Sequence, residues 1–406
     1  MNYQETVEWM FQQLPMYQNQ GKMAYKSDLD NIIKFSKHLN NPEKNFKTIH
    51  VAGTNGKGST SSMLTSVLME SGLSIGLYTS PHLKDYRERI TINGSQIEEE
   101  FVIEFIKKNK SFLAENQLSF FEMSVGLAFE YFNVKKVNIA VIEVGLGGRL
   151  DATNIITPLL SIITSIGLDH QEFLGDTLDQ IAFEKAGIIK PTIPVVIGET
   201  TQETIPVFNE IASNNHSKII YSENESFIDY KSDLLGYYQK QNIRTARTAI
   251  EVLKTDYGLK IEENHVVNGF IKTKQNTGLK GRWEILSKKP FIVADCAHNK
   301  HGLKAVLAQL KNMSFRKIHF VLGFVKEKDL TAILPLFPKD GKYYFTKPNN
   351  NRALNEKQLM EEAKKFELEG SHFETVSAAL AKARINAEET DCIYIGGSTF
   401  VVSDVI

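Results

Sequence analysis

The sequence predicts an α/β protein of two domains: a larger N-terminal domain on a mostly parallel sheet, then a smaller α/β domain. Two observations predict it. Apolar runs of strand length alternate with longer stretches of helical periodicity through most of the chain, as strand–helix–strand crossovers require. A polar stretch over 272–290, holding Lys274, Gln275, Asn276, Gly278, Lys280 and Gly281, breaks that alternation before it restarts. The expected organisation is a domain over 1–278, a linker over 279–290 and a domain over 291–406.

In chain order, the first strong strand is 47–52, followed by a glycine-rich loop and a helix over 57–71. Further strands are expected at 74–79, 138–144, 159–165 and 194–198, with helices at 98–115, 121–132 and 177–186. Beyond the polar stretch, strands at 291–295, 317–323, 342–346 and 391–396 with helices between them have a Rossmann-like rhythm. The 406 residues, 42% hydrophobic and 23% charged, suit a globular protein with sizeable cores. A net charge of -1 predicts no general attraction to nucleic acid or an anionic membrane. Cys296 and Cys392 lie far apart, with neither a metal-ligand spacing nor a disulfide framework, which fits a reducing cytoplasm. Residues 1–10 include Glu5 and Glu8 and no apolar run, so neither a signal peptide nor a membrane span is expected. A cytoplasmic monomer is the expectation.

The strongest motif is Gly53-Thr54-Asn55-Gly56-Lys57-Gly58-Ser59-Thr60, placed between a strand and a helix. That is the context of a phosphate loop, and it makes the N-terminal domain ATPase-like. Glycines let backbone N–H groups curl around phosphate oxygens, and the helix N-terminus adds positive charge. Lys57 would neutralise the β and γ phosphates, and Ser59 or Thr60 would offer a hydroxyl to magnesium. Gly58 separates the lysine from the hydroxyl residues, which departs from the common ATPase and GTPase form.

Three further residues carry chemistry. Glu143 ends the continuous apolar run of 138–144, where a charge is costly unless paired or bound to metal. His170 follows the strand at 159–165, past its carboxyl end, where α/β sheets place ligands. Lys185 falls in the helical stripe of Leu178, Ile181 and Ala182. A lysine there either snorkels, pairs with Glu184 or a nearby acid, or loses its proton. The neutral amine could then add carbon dioxide to give a carbamate, an anionic oxygen ligand for magnesium. Periodicity by itself favours the structural alternatives.

Taken together these residues resemble the folylpolyglutamate synthase and dihydrofolate synthase family of the Mur ligase superfamily. The likeness is carried by the phosphate loop, Tyr78-Thr79-Ser80-Pro81-His82-Leu83, the run from Glu143 to Asn154, Leu168-Asp169-His170, Glu184-Lys185-Ala186-Gly187-Ile188, Gly281-Arg282 and Asp295-Cys296-Ala297-His298-Asn299, colinear over nearly the whole chain. The resemblance implies an ATP-dependent ligase with a central-type ATP-binding domain and a glutamate-binding domain. It implies magnesium, two ions, held by Ser59, Ser80, Glu143, His170 and a carbamate on Lys185, and so reverses the odds for that lysine. It implies ATP contacts from Thr54 to Thr60, Asn242, Arg282 and Asp295. Ser119, Phe120, Phe121 and Glu122, with Leu150, Asp151 and Ala152, are similar to segments that hold a pterin substrate. His298 and Ser398 would help bind glutamate. The family usually has glycine where Cys296 stands.

The implied reaction activates a substrate carboxylate as an acyl phosphate, which the amine of L-glutamate then attacks. Lys57, His170 and Lys185 are the implied catalytic residues, and dihydropteroate and tetrahydrofolate the acceptors. The Arg149–Asn154 run looks more like members with both activities. A cell-wall amino-acid ligase would carry a whole extra domain before its phosphate loop, and only 52 residues precede Gly53. A switch NTPase lacks its guanine motif here and leaves the second domain idle. A small-molecule kinase would need no glutamate.

Overall fold

The computed structural model describes residues 1–14, 28–226 and 228–406. The chain divides into two compact units: 1–233 with 240–279, and 234–239 with 280–406. The second unit thus includes a short segment from the middle of the chain as well as the C-terminal part.

The first unit is built on an eight-stranded sheet in the order β4-β3-β2-β5-β1-β6-β7-β8. Six of its strands, β1 (Lys47–Ala52), β2 (Ile75–Tyr78), β5 (Ile139–Glu143), β6 (Leu160–Ile163), β7 (Val195–Ile197) and the edge strand β8 (Ile219–Tyr221), are parallel. The expected strands are present, each trimmed by at most two residues at an end. β3 (Ile90–Ile92) and β4 (Ser95–Gln96) add an antiparallel edge. They are too short for their alternation to register as a signal in sequence.

β1 lies between β5 and β6, with Val51 opposite Glu143 and Ala52 opposite Ile163. Chain connections diverge on either side of β1, which makes its carboxyl end a topological switch point, where such sheets bind ligands. β1, β5 and β6 are buried along nearly their whole length, so their sequences run apolar without alternation. One core joins Tyr78, Ala140 and Ile142 to the helices Glu99–Glu115 and Phe120–Val134. Another joins Ile163, Val195 and Ile197 to Leu178–Ala186 and Thr204–Asn214.

The second unit carries a six-stranded sheet, β13-β12-β11-β14-β10-β9. Five strands are parallel: β10 (Phe291–Ala294), β11 (Ile318–Leu322), β12 (Lys342–Thr346), β13 (Gly370–Phe373) and β14 (Cys392–Gly396). β9 (Glu284–Lys288) runs antiparallel to β10. The polar 272–290 stretch therefore holds ordered structure, including the helix Thr273–Thr277 as well as β9. Polar composition hid β9 because an edge strand buries little of each residue. No described helix is long and apolar enough to cross a membrane.

Candidate active site

In the first unit the carboxyl ends of β1, β2, β5 and β6 bring together most of the residues singled out in sequence. Gly53 has φ 147° and Gly56 φ 86°, conformations that favour glycine. Space forbids a side chain as well: a Cβ at Gly53 would lie 1.9 Å from Thr164 Oγ1, and one at Gly56 would lie 2.3 Å from Asn242 Oδ1. Asn242, from the helix Gln239–Thr255, is therefore packed directly over the loop.

The residues after β6 brace the loop from below. Thr164 Oγ1 donates to the Asn55 carbonyl at 2.6 Å, and the Thr54 N–H donates to the Ser165 carbonyl at 2.7 Å. Thr54 Oγ1 donates to the Gly167 carbonyl at 3.1 Å. Lys57 opens the helix Lys57–Glu70, and its Nζ donates to the Gly53 carbonyl at 3.0 Å, closing the loop on itself. Ser59 and Thr60 are buried in the first turn, and Thr60 Oγ1 has no hydrogen-bond partner.

Glu143 is only 4% exposed, and its Oε2 accepts the Ser80 N–H at 3.3 Å. Ser80 precedes a cis peptide bond to Pro81. Lys185 is buried, and its Nζ donates to the Gly53 carbonyl at 3.0 Å. Burial, with Lys57 nearby, pulls its pKa down to about 7. Glu184 does not serve it, because that carboxylate pairs with Arg149 at 2.8 Å. His170 adopts a left-handed conformation (φ 52°, ψ 38°) at the start of the short helix Gln171–Leu174. The Asp169 carboxylate lies 4.0 Å from its Nε2.

The loop expected to hold a pterin is shaped by Asp151. Its Oδ2 accepts the N–H groups of Gly145 and Leu146, and its Oδ1 accepts the N–H and hydroxyl of Thr153. All four lone-pair directions are thereby used. Burial raises its pKa. Leu150 is partly buried beside it, and Ala152 is buried. His50 Nε2 meets Thr153 Oγ1 at 2.8 Å, and burial pulls its pKa down to about 3, with Lys190 adding to the shift. Ser119 and Glu122 form a capping box on the helix Phe120–Val134, which fixes Phe120 and Phe121 at its start. Phe121 lies against Gly145, where a Cβ would come within 2.5 Å of its ring.

In the second unit, Asp295 directly follows β10. Its carboxylate accepts the Trp283 N–H at 2.7 Å, the Ala297 N–H at 2.8 Å and the Tyr238 hydroxyl at 2.6 Å. Burial raises its pKa. Arg282 Nη1 donates to the Gly281 carbonyl at 3.3 Å. The Cys296 thiol is buried, which pushes its pKa up to about 11, and it sits beside Arg282 and Thr399. His298 Nδ1 meets the Cys296 carbonyl at 2.9 Å, and Ser398 caps the helix Thr399–Ser403. Sequence reading missed Thr164, Tyr238 and Arg89. The detectable signal was hydroxyls at the end of an apolar strand, an aromatic residue four before Asn242, and a charge flanking the apolar alternation of β3.

The Mur ligase middle domain matches residues 51–265, and the Mur ligase glutamate ligase domain matches 281–399. The chain is 33% identical over 356 residues to the dihydrofolate synthase/folylpolyglutamate synthase of Bacillus subtilis (strain 168), covering 80% of each protein. The chain belongs to the folylpolyglutamate synthase/dihydrofolate synthase family of Mur ligases. Family membership makes it an ATP-dependent glutamate ligase of folate metabolism. It is also 31% identical to a probable bifunctional folylpolyglutamate synthase/dihydropteroate synthase of Haloferax volcanii, matching along all of this chain but spanning about half, 50%, of that longer protein. Among solved structures, Escherichia coli FolC in complex with DHPP and ADP has a TM-score of 0.87 at 27% identity, covering 100% of this chain and 97% of the other. The Yersinia pestis bifunctional folylpolyglutamate synthase/dihydrofolate synthase with Mn, AMPPNP and L-glutamate bound has a TM-score of 0.86 at 25% identity, with coverage of 100% and 97%.

Proposed function

We propose that this family member is bifunctional, adding L-glutamate both to dihydropteroate and to tetrahydrofolate through an acyl phosphate. The observations that carry the ligase site are the Lys185 bond to the phosphate-loop carbonyl of Gly53 and the Ser80–Glu143 bond beside it, at the carboxyl ends of adjacent parallel strands. The Bacillus relative carries both names, and the E. coli and Y. pestis structures bind ADP with DHPP, and AMPPNP with glutamate.

In this reading the loop N–H groups and Lys57 bind the triphosphate. Lys57 leaves its carbonyl partners when the γ phosphate offers a charge-assisted bond in exchange. Asn242, Arg282 and Asp295 hold the rest of the nucleotide. The first turn of Lys57–Glu70 and the Ser80–Glu143 pair supply hydroxyl and carboxylate oxygens, a donor set suited to a hard divalent cation. No group of three His, Cys, Asp or Glu among the described residues could hold a metal without other donors. In this reading Ser59, Ser80, His170 and a carbamate on Lys185 would join Glu143 as the donors. When bound, magnesium would neutralise charge on the phosphoryl group in transfer.

Phe120 and Phe121, with the Leu150–Ala152 segment, would hold the acceptor's ring system. Its carboxylate attacks the γ phosphorus, and ADP leaves. The glutamate amine, positioned by His298 and Ser398, then attacks the acyl carbon and expels phosphate. The protein supplies position and charge and forms no covalent bond to the acceptor. ADP release by the purified protein tests the reading. Dihydropteroate and tetrahydrofolate should each support release that depends on glutamate. Turnover with tetrahydrofolate alone would reduce the proposal to a folylpolyglutamate synthase.

A further inference from the structure

Arg89 is a buried charge with no part in the chemistry described so far. It ends the 3₁₀ turn Tyr86–Arg89 just before β3, where its carbonyl accepts the Thr79 N–H at 3.0 Å. The residue is 4% exposed. Its Nε–H donates to His82 Nδ1 at 2.7 Å, and its guanidinium carbon lies 5.4 Å from the centre of the Phe120 ring. These contacts orient the guanidinium without neutralising it, since an imidazole that accepts a hydrogen bond at Nδ1 brings no negative charge.

The acids nearest in sequence are committed elsewhere. Asp85 pairs with Arg87 and accepts the Tyr3 hydroxyl. The Glu88 carboxylate accepts the N–H groups of Leu83, Lys84 and Asp85. Among the described residues no carboxylate forms an ion pair with Arg89. A buried guanidinium that lacks an anion is costly to keep, and its forked donors match a carboxylate in two parallel bonds. Its position says which carboxylate. On one side it touches Phe120, in the segment proposed to hold the acceptor's rings. On the other it pairs in backbone with Thr79, next to Ser80 of the proposed cation site.

We propose that Arg89 is a specificity-determining residue that binds the non-reacting carboxylate of an acceptor already carrying glutamate. The assignment rests on the folate-ligase reading. Tetrahydrofolate ends in a glutamate with two carboxylates: one is phosphorylated, and the other remains an anion beside the site. Dihydropteroate has a single carboxylate, which is the one activated, and leaves Arg89 nothing to bind. Arg89 thus lets one pocket serve both acceptors while favouring the longer.

The test measures ADP release with the full-length protein, its Arg89→Gln and Arg89→Lys variants, and both acceptors. It includes a tetrahydrofolate analogue whose non-reacting carboxylate is an amide. Arg89→Gln should raise the KM for tetrahydrofolate roughly 10- to 100-fold, the range for a lost charge-assisted hydrogen bond. The loss for tetrahydrofolate should exceed that for dihydropteroate by about tenfold or more, with Arg89→Lys intermediate. The unaltered protein should discriminate against the amide by a similar factor, and Arg89→Gln should not. Equal use of acid and amide by the unaltered protein overturns the proposal whether or not the variants fold. Equal losses on both acceptors in both variants also overturn it. A protein that uses dihydropteroate but not tetrahydrofolate sinks the Arg89 assignment and leaves the ligase reading standing. Turnover of neither acceptor sinks both.

Discussion

Lys185 and Lys57 both donate to the Gly53 carbonyl, so two ammonium groups crowd one oxygen. The buried one yields, and its pKa falls to about 7, which makes a neutral amine accessible near neutrality. A carbamate there would turn a repelling pair into an attracting one. Lys185→Ala should lower kcat by about 100-fold or more, the scale of a lost charge-stabilising group. Acetate in the assay should restore part of it by supplying the missing oxygen donor. Absence of rescue in steady-state ADP release, with an unchanged melting profile, would count against the carbamate. That Lys185 is buried was legible in sequence, because helical periodicity put it in line with Ile181 and Ala182. Its partner was not: the neighbouring Glu184 turns to Arg149, and the acceptor comes from the phosphate loop.

At the level of elements, the phosphate-loop helix is placed by a helix far along the chain. Gly269, on Glu263–Ile271, lies so close to the Lys57–Glu70 helix that a Cβ would come within 2.5 Å of the Val67 backbone. Ser66 Oγ also donates to the Gly269 carbonyl at 2.6 Å. Gly269→Ala should cost about 1–3 kcal/mol by overpacking and should raise the KM for ATP, because the helix that bears the loop must shift. Urea unfolding and nucleotide titration would check it. In the second unit, Asp391 at the start of β14 accepts from Arg316 at 2.8 and 3.0 Å, and meets His319 Nε2 at 3.2 Å. Burial lowers the His319 pKa, and the Glu388 N–H and Arg316 outweigh burial to lower that of Asp391. Below each group's unfolded pKa the unfolded chain binds more protons than the folded one, so stability falls with pH through both ranges. Asp391→Asn should destabilise this unit by about 1–3 kcal/mol at neutral pH. It should also flatten the acid limb of a melting-temperature profile, and an unchanged limb would show that other groups set it. The long parallel strands were readable as apolar runs. The short edges were not: β3 and β4 are too short to leave a pattern, and β9 buries little of each residue.

The described residues hold two sheets, one in each unit, and each sheet is packed by hydrophobic clusters of its own. Units with separate cores should unfold in more than one step, so the calorimetric enthalpy should exceed the van't Hoff enthalpy. A single two-state transition would show instead that the units melt as one. The sequence alone determined the α/β class, the phosphate loop and the order of the motif residues. These depend on local rules: strand and helix periodicity, and glycine's access to positive φ. Only the tertiary structure decided which distant residues meet: Asn242 over Gly56, Ser80 against Glu143, Arg89 against Phe120. Such contacts follow from strand order and from which side chains close packing leaves room for, and neither is encoded within a single stretch of chain.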